Sequence, residues 1–241
     1  MMFFIGMMLL QLSVAFAAKR ALIYSGPGAC VEGCAQAASD MAVRNGFIPT
    51  LVGPDQITAQ STDADKQNLF KDVVIYLQPG GHSRTVFQNM TQAMVDAIKN
   101  FVSSGGAYVG FCAGAFSSTR KVGTTNYVGF DIMPGKTILY DGTRSNAAIL
   151  EVNWNGRNRS MYWEGGPYIT DLPDGAASAV AYYPSGEIAA AKSHYGKGRV
   201  FVTGLHPEAP QWWRDYYQMT DSDGLDYDIA DEMITWATAA R

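Results

Sequence analysis

Charge is scarce in this chain: charged side chains make up 17% of its 241 residues, and no stretch concentrates lysine or arginine. With a formal net charge of −4, the positive footprint that nucleic acid requires is missing, and that class of partner is set aside. Beyond residue 17 no apolar run is long enough to cross a bilayer, so no membrane association is expected after that point. Cysteine and histidine are rare, with three of each, and nothing in their arrangement calls for a metal or a cofactor. Internal repeats, low-complexity tracts and Pro/Ser linkers are absent too, which leaves no seam at which to divide the chain.

What is present is apolar: 47% of the residues, enough for one substantial core. Residues 1–17, MMFFIGMMLLQLSVAFA, end in small residues at Ala15 and Ala17, the spacing a signal peptidase reads. The run is short for a membrane anchor, so the expectation is a signal peptide over 1–17, one domain over 18–241, and a secreted or periplasmic protein. An oxidising compartment changes how cysteines are read. Cys30 and Cys34 are close in "GACVEGCAQ", where Gly33 allows an irregular turn that would close a disulfide; the alternative is two small buried residues at a helix start. Cys112 is then the unpaired thiol. Two sequons, at Asn89 and Asn158, are glycan acceptors if the host is a eukaryote.

Hydrophobic patterning predicts strands in "ALIYSGPG", "FIPTLVG", "DVVIYLQPGG" and "AYVGF". Helices are predicted over "CAQAASDMAVRNG" and "MTQAMVDAIKNFVSSGG", and residues 54–71 are polar and ambiguous. Continuous apolar strands in short alternation with helices argue for an α/β fold: a mostly parallel sheet with helices on both faces. From 123 to about 195 the alternation shortens and turn residues recur, as in "YYPSGE" and "HYGKG", which reads as β-hairpins added to that sheet. "RVFVTGLHPE" returns to a buried strand, and "DYDIADEMITWATAAR" closes the chain as a helix.

In open α/β sheets, chemistry collects where strands end. Three such loops carry it here: Pro79-Gly80-Gly81-His82, Gly110-Phe111-Cys112-Ala113-Gly114 and His206-Pro207-Glu208. The middle one has the GxCxG pattern of a nucleophile elbow, a turn so sharp that the residues two before and two after must be small. At the start of the next helix a sulfur is favoured as thiolate. The other reading of Cys112 is an ordinary buried residue at a tightly packed junction. His206 and Glu208, two apart past a strand, point the same way if the chain stays extended, pairing a base with an orienting carboxylate. Taken singly, each is also read as a loop residue. Gly80, Gly81 and the N–H of Ala113 are placed to offer donors to an oxyanion.

A cysteine elbow followed late by His-Pro-Glu, with an earlier Pro-Gly-Gly loop, is similar to the class I glutamine amidotransferase-like superfamily. More closely, "ALIYSGPG", "LQPGGHS", "GGAYVGFCAGAF", "MYWEGGPYI" and "VTGLHPEAP" resemble the N-terminal domain of biotin-protein ligases. The resemblance implies a flavodoxin-like three-layer sandwich. It also implies Cys112 as nucleophile, His206 as base, Glu208 as its orienter, and Gly81 with Ala113 near the oxyanion. Ala115 and Phe116 stand where glutamine-using members carry a Gln, so the expected activity is the hydrolytic half-reaction on a small-molecule or peptide amide. A γ-glutamyl hydrolase-like peptidase shares that triad, and a non-catalytic binding domain shares the fold. His82 and Glu164 are read as substrate contacts, Glu164 on a wall formed by "YWEGGPY"; a solvated loop histidine is the other reading of His82, and an aromatic hairpin core that of the segment. Trp212 and Trp213, just past the His-Pro-Glu, either rim a pocket or pack against the sheet.

Overall fold

The computed structural model describes residues 19–141 and 146–240. The signal-peptide expectation, with Ala15 and Ala17, lies outside the described residues. Four parallel neighbours come first in the chain: β1 (Arg20–Tyr24), β2 (Ile48–Val52), β3 (Val73–Gln78) and β4 (Ala107–Phe111). A late strand, β12 (Gly198–Thr203), pairs in parallel with β4, so the sheet begins β2-β1-β3-β4-β12. Side chains alternate between faces along each strand. Ala21 and Ile23 of β1 therefore enter one core, with Ile75, Val109 and Phe201, while Leu22 and Tyr24 enter another, with Tyr76, Tyr108 and Val202.

Helices cover both faces because both are apolar. α1 (Gln36–Arg44) and α7 (Tyr227–Thr238) put Ala38, Met41, Met233 and Ile234 on the first core. α4 (Gln92–Ser103) puts Met94, Ile98 and Val102 on the second. Each large apolar side chain buried in this way contributes about 1.5–3 kcal/mol. Thr91 caps α4, its hydroxyl accepting from the Met94 N–H at 3.1 Å.

Beyond β12 the sheet turns antiparallel. It continues through β11 (Ile188–Tyr195), β10 (Ala177–Tyr182), β7 (Ala148–Trp154) and β8 (Arg157–Trp163). β5 (Thr119–Val122), β6 (Met133–Leu139) and β9 (Pro167–Thr170) form a branch joined through β11. The expected α/β architecture with added hairpins is thus the observed one. Three short helices escaped the pattern reading: α2 (Asp63–Phe70), α3 (Ser83–Asn89) and α6 (Gln211–Tyr216). α2 buries no residue and owes its start to a reciprocal Thr62/Asp65 capping box, so hydrophobic period carries no trace of it. Asn89 and Asn158 are both exposed.

Candidate functional site

The carboxyl ends of β3, β4 and β12 converge on one cavity of about 430 Å³. Its walls include Gly81, His82, Cys112, Glu164 and His206, and also Cys30 and Cys34. Cys112 joins β4 to α5 (Ala113–Ser118) with φ 47° and ψ −101°, a conformation unusual for any side-chain-bearing residue. Its N–H is held by the Thr203 carbonyl of β12 at 2.9 Å. The two flanking glycines are required sterically. A Cβ on Gly110 would lie 2.7 Å from the Gly114 carbonyl, and one on Gly114 would lie 2.1 Å from the Gln78 carbonyl. The elbow is therefore packed against the ends of both neighbouring strands, and its strain is fixed by the sheet.

His206 and Glu208 follow β12, and their arrangement differs from the extended one expected. The Ala209 N–H bonds the His206 carbonyl at 3.0 Å, so residues 206–209 form a turn. The turn folds the carboxylate back, and Glu208 Oε1 lies 2.8 Å from His206 Nδ1. Both side chains are buried, and Glu208 Oε2 is buried without a hydrogen-bond partner. Burial alone disfavours the imidazolium, but the Glu208 carboxylate and then the Cys112 sulfur outweigh it. His206 is pushed well above its usual value, and it lines the same cavity as Cys112. Trp213 and Tyr162 bracket the imidazole at centroid distances of 5.3 and 5.8 Å. Of the two readings open for Trp213, pocket rim or packing residue, the structure combines both: it walls the His206 site and is itself buried.

The remaining residues fall around this centre. Gly81, at φ 133°, bridges to Ala29, and a Cβ there would lie 2.2 Å from the Gly28 carbonyl. Gly80 abuts the imidazole: its Cβ would lie 2.4 Å from His206 Cε1. Ala113 is the first residue of α5, so its N–H has no preceding helical carbonyl to bond. His82 is exposed on the rim, with Nδ1 3.0 Å from Thr85 Oγ1. Glu164 serves twice: its backbone carbonyl accepts from the Cys112 thiol at 3.5 Å, and its carboxylate accepts from Tyr162 and Tyr217, both at 2.9 Å. The "YWEGGPY" segment is both wall and core, since Tyr162 and Trp163 are buried.

The Cys30–Cys34 disulfide expected from the sequence is not formed here: both are free thiols, Cys30 exposed and Cys34 buried. Cys30 caps a π-helical turn, Val31–Ala35, in which the Ala35 N–H reaches back five residues to the Cys30 carbonyl at 3.0 Å. Both side chains line the same cavity. Among the described residues no group of three or more His, Cys, Asp or Glu is arranged to hold a metal, and no helix is long and apolar enough to cross a membrane.

Behind the site, Arg214 of α6 is fully buried. It donates to the Ala209 carbonyl at 2.9 Å, to Asp221 at 2.6 Å and to Asp226 at 3.2 Å. Sequence reading missed this anchor, because a single arginine in "QWWRDYY" gives no sign of burial.

A mostly parallel sheet with a strained strand-to-helix cysteine and a late histidine–carboxylate pair places the chain among the glutamine amidotransferase-like α/β folds. Solved structures share it. A glutamine amidotransferase matches with TM-score 0.59 and 16% identity, over 81% of this chain and 97% of that one. PurLQS from Thermotoga maritima matches with TM-score 0.61 and 15% identity, over 90% and 98%. A GMP synthase-type protein from Thermoplasma acidophilum matches with TM-score 0.55 and 11% identity, over 92% and 98%.

Within that fold, residues 19–132 match the family described as biotin-protein ligase, N terminal. The biotin-protein ligase of Schizosaccharomyces pombe is 24% identical over 167 residues, 56% of this chain and 25% of the relative. The chain thus spans about a quarter of the length of that curated relative.

Proposed function

We propose that the chain is a cysteine-dependent hydrolase of a carbon–nitrogen bond in a small-molecule or peptide amide. What supports this reading is that Cys112, on a strained elbow, and His206 line one cavity, with the buried Glu208 carboxylate 2.8 Å from His206 Nδ1 behind it. His206 takes the thiol proton on Nε2, while Glu208 holds Nδ1–H and stabilises the imidazolium. The Cys112 thiolate attacks the amide carbonyl, and the N–H groups of Ala113 and Gly81 receive the developing oxyanion. The C–N bond breaks as His206 returns its proton to the leaving amine, giving a thioester. Water, deprotonated by the same imidazole, then releases the acid. Gly80, His82 and Glu164 contribute to substrate binding in this scheme. The apolar Met1–Ala17 stretch supports an exported protein.

The test is hydrolysis of a panel of glutamine, γ-glutamyl and peptide amides, with Cys112→Ala as control. Turnover of any member that disappears in the variant supports the proposal. Inactivity across the panel, with Cys112 no more reactive toward iodoacetamide than a free thiol, overturns it in favour of a binding domain.

A further inference from the structure

The cavity holds a second thiol chemistry that the hydrolytic scheme does not use. Cys30 is exposed at the cavity mouth, while Cys34, four residues on, is buried at 7% exposure. The π-helical turn sets both cysteines on the wall of the same cavity, and Gly33 leaves room for the first sulfur, since a Cβ there would lie 2.7 Å from Cys30 Sγ. The hydrogen bond from the Cys34 thiol lowers Cys30 to about 5, whereas that same bond and then burial push Cys34 up. An accessible thiolate beside a protected thiol is the arrangement in which one sulfur is attacked and the other resolves. Cys34 also lies near the proposed catalytic centre. The point where a Gly80 Cβ would sit is 2.4 Å from His206 Cε1 and 3.3 Å from Cys34 Sγ, so imidazole and sulfur flank the same spot.

We propose that Cys30 and Cys34 form a reversible dithiol–disulfide pair, exchanged by small disulfides, whose oxidation slows the chemistry of Cys112 by withdrawing the Cys34 sulfur from its packing beside His206. The Cys30 thiolate attacks one sulfur of a small disulfide, forming a mixed disulfide and expelling a thiolate. Cys34 gives up its proton to that expelled thiolate, attacks Cys30 Sγ and expels the second thiolate. In balance, two protein thiols and one small disulfide become one protein disulfide and two small thiols. Once Cys34 is drawn outward, the imidazole loses a neighbour and is freer to turn from Cys112.

The purified protein is incubated with oxidised glutathione, and its cross-links are mapped by peptide mass before and after dithiothreitol. A Cys30–Cys34 bridge that dithiothreitol removes is expected. In Cys34→Ala the reaction should stop at a glutathione adduct on Cys30. The alkylation rate of Cys112 by iodoacetamide should fall about tenfold in the oxidised form, equivalent to one pKa unit in its partner. Two unmodified thiols after exposure, a bridge that includes Cys112, or equal Cys112 rates in the two states would each overturn the proposal. The cross-link map depends neither on amide hydrolysis nor on the reactivity of Cys112, so its failure is separable from failure of the hydrolase reading.

Discussion

Replacing Glu208 by glutamine removes one negative charge while keeping the shape of the group that faces His206 Nδ1 at 2.8 Å. Two effects oppose each other. The charge-assisted hydrogen bond is worth about 1.5–3 kcal/mol, and its loss falls on the imidazolium, because neutral histidine still donates to the glutamine oxygen. Against this, the carboxylate is buried with Oε2 unpartnered, so removing the charge relieves a desolvation cost of similar size. Reactivity and stability should therefore separate. At about 1.4 kcal/mol per tenfold, iodoacetamide labelling of Cys112 near pH 6.5 should slow by about 10–100-fold in Glu208→Gln. The melting temperature should stay within about 4 °C of wild type, the shift that about 1 kcal/mol produces in a domain of this size. Mass-spectrometric labelling rates and a thermal melt on the same preparation decide it. Unchanged labelling would refute the orienting role of Glu208. A large fall in melting temperature with proportionate loss of labelling would show that the carboxylate is structural.

Gly80→Ala sets a methyl carbon 2.4 Å from His206 Cε1, so the ring must move; Cys112 labelling should fall by about 100-fold with little change in circular dichroism. Arg214→Met leaves Asp226 buried without one of its guanidinium partners, a loss of about 3–5 kcal/mol that should lower the melting temperature by about 6–20 °C. Cys30 alkylation should rise through pH about 5 and level off above it, and Cys34→Ala, which removes the donated hydrogen bond, should move that rise to higher pH. His206 is raised in the folded state, so its contribution to stability is complete below its unfolded value of about 6.5 and is lost as pH rises through the folded value. The stability gap between wild type and His206→Asn, followed by urea denaturation, should accordingly narrow toward alkaline pH.

Strands β1, β3, β4 and β12 were legible because each is a nearly unbroken apolar run, and only a strand covered on both faces is built that way. The three strand-end loops were legible for a related reason: a sequence motif sits wherever a parallel strand stops. Side-chain direction past the strand was not legible. His206 and Glu208 meet through a turn rather than by extension, since Pro207 and the Ala209 N–H bend the chain. The state of Cys30 and Cys34 depended on a π-helical turn that no hydrophobic period encodes. α2, α3 and α6 are too short to show a period, and Arg214 acquires its importance only from Asp221, Asp226 and the Ala209 carbonyl around it.

The loop bearing His206 and Glu208 is tied by Arg214 to Asp226, which lies directly before α7, the helix that ends the described chain. Cys112, by contrast, is placed by β4 and its neighbours β3 and β12, all of which precede residue 204. During synthesis the sulfur therefore emerges long before its imidazole partner can be held in position. On the reading proposed above, a chain cut before Asp226 would carry the elbow without the anchored loop that sets His206 beside the cavity.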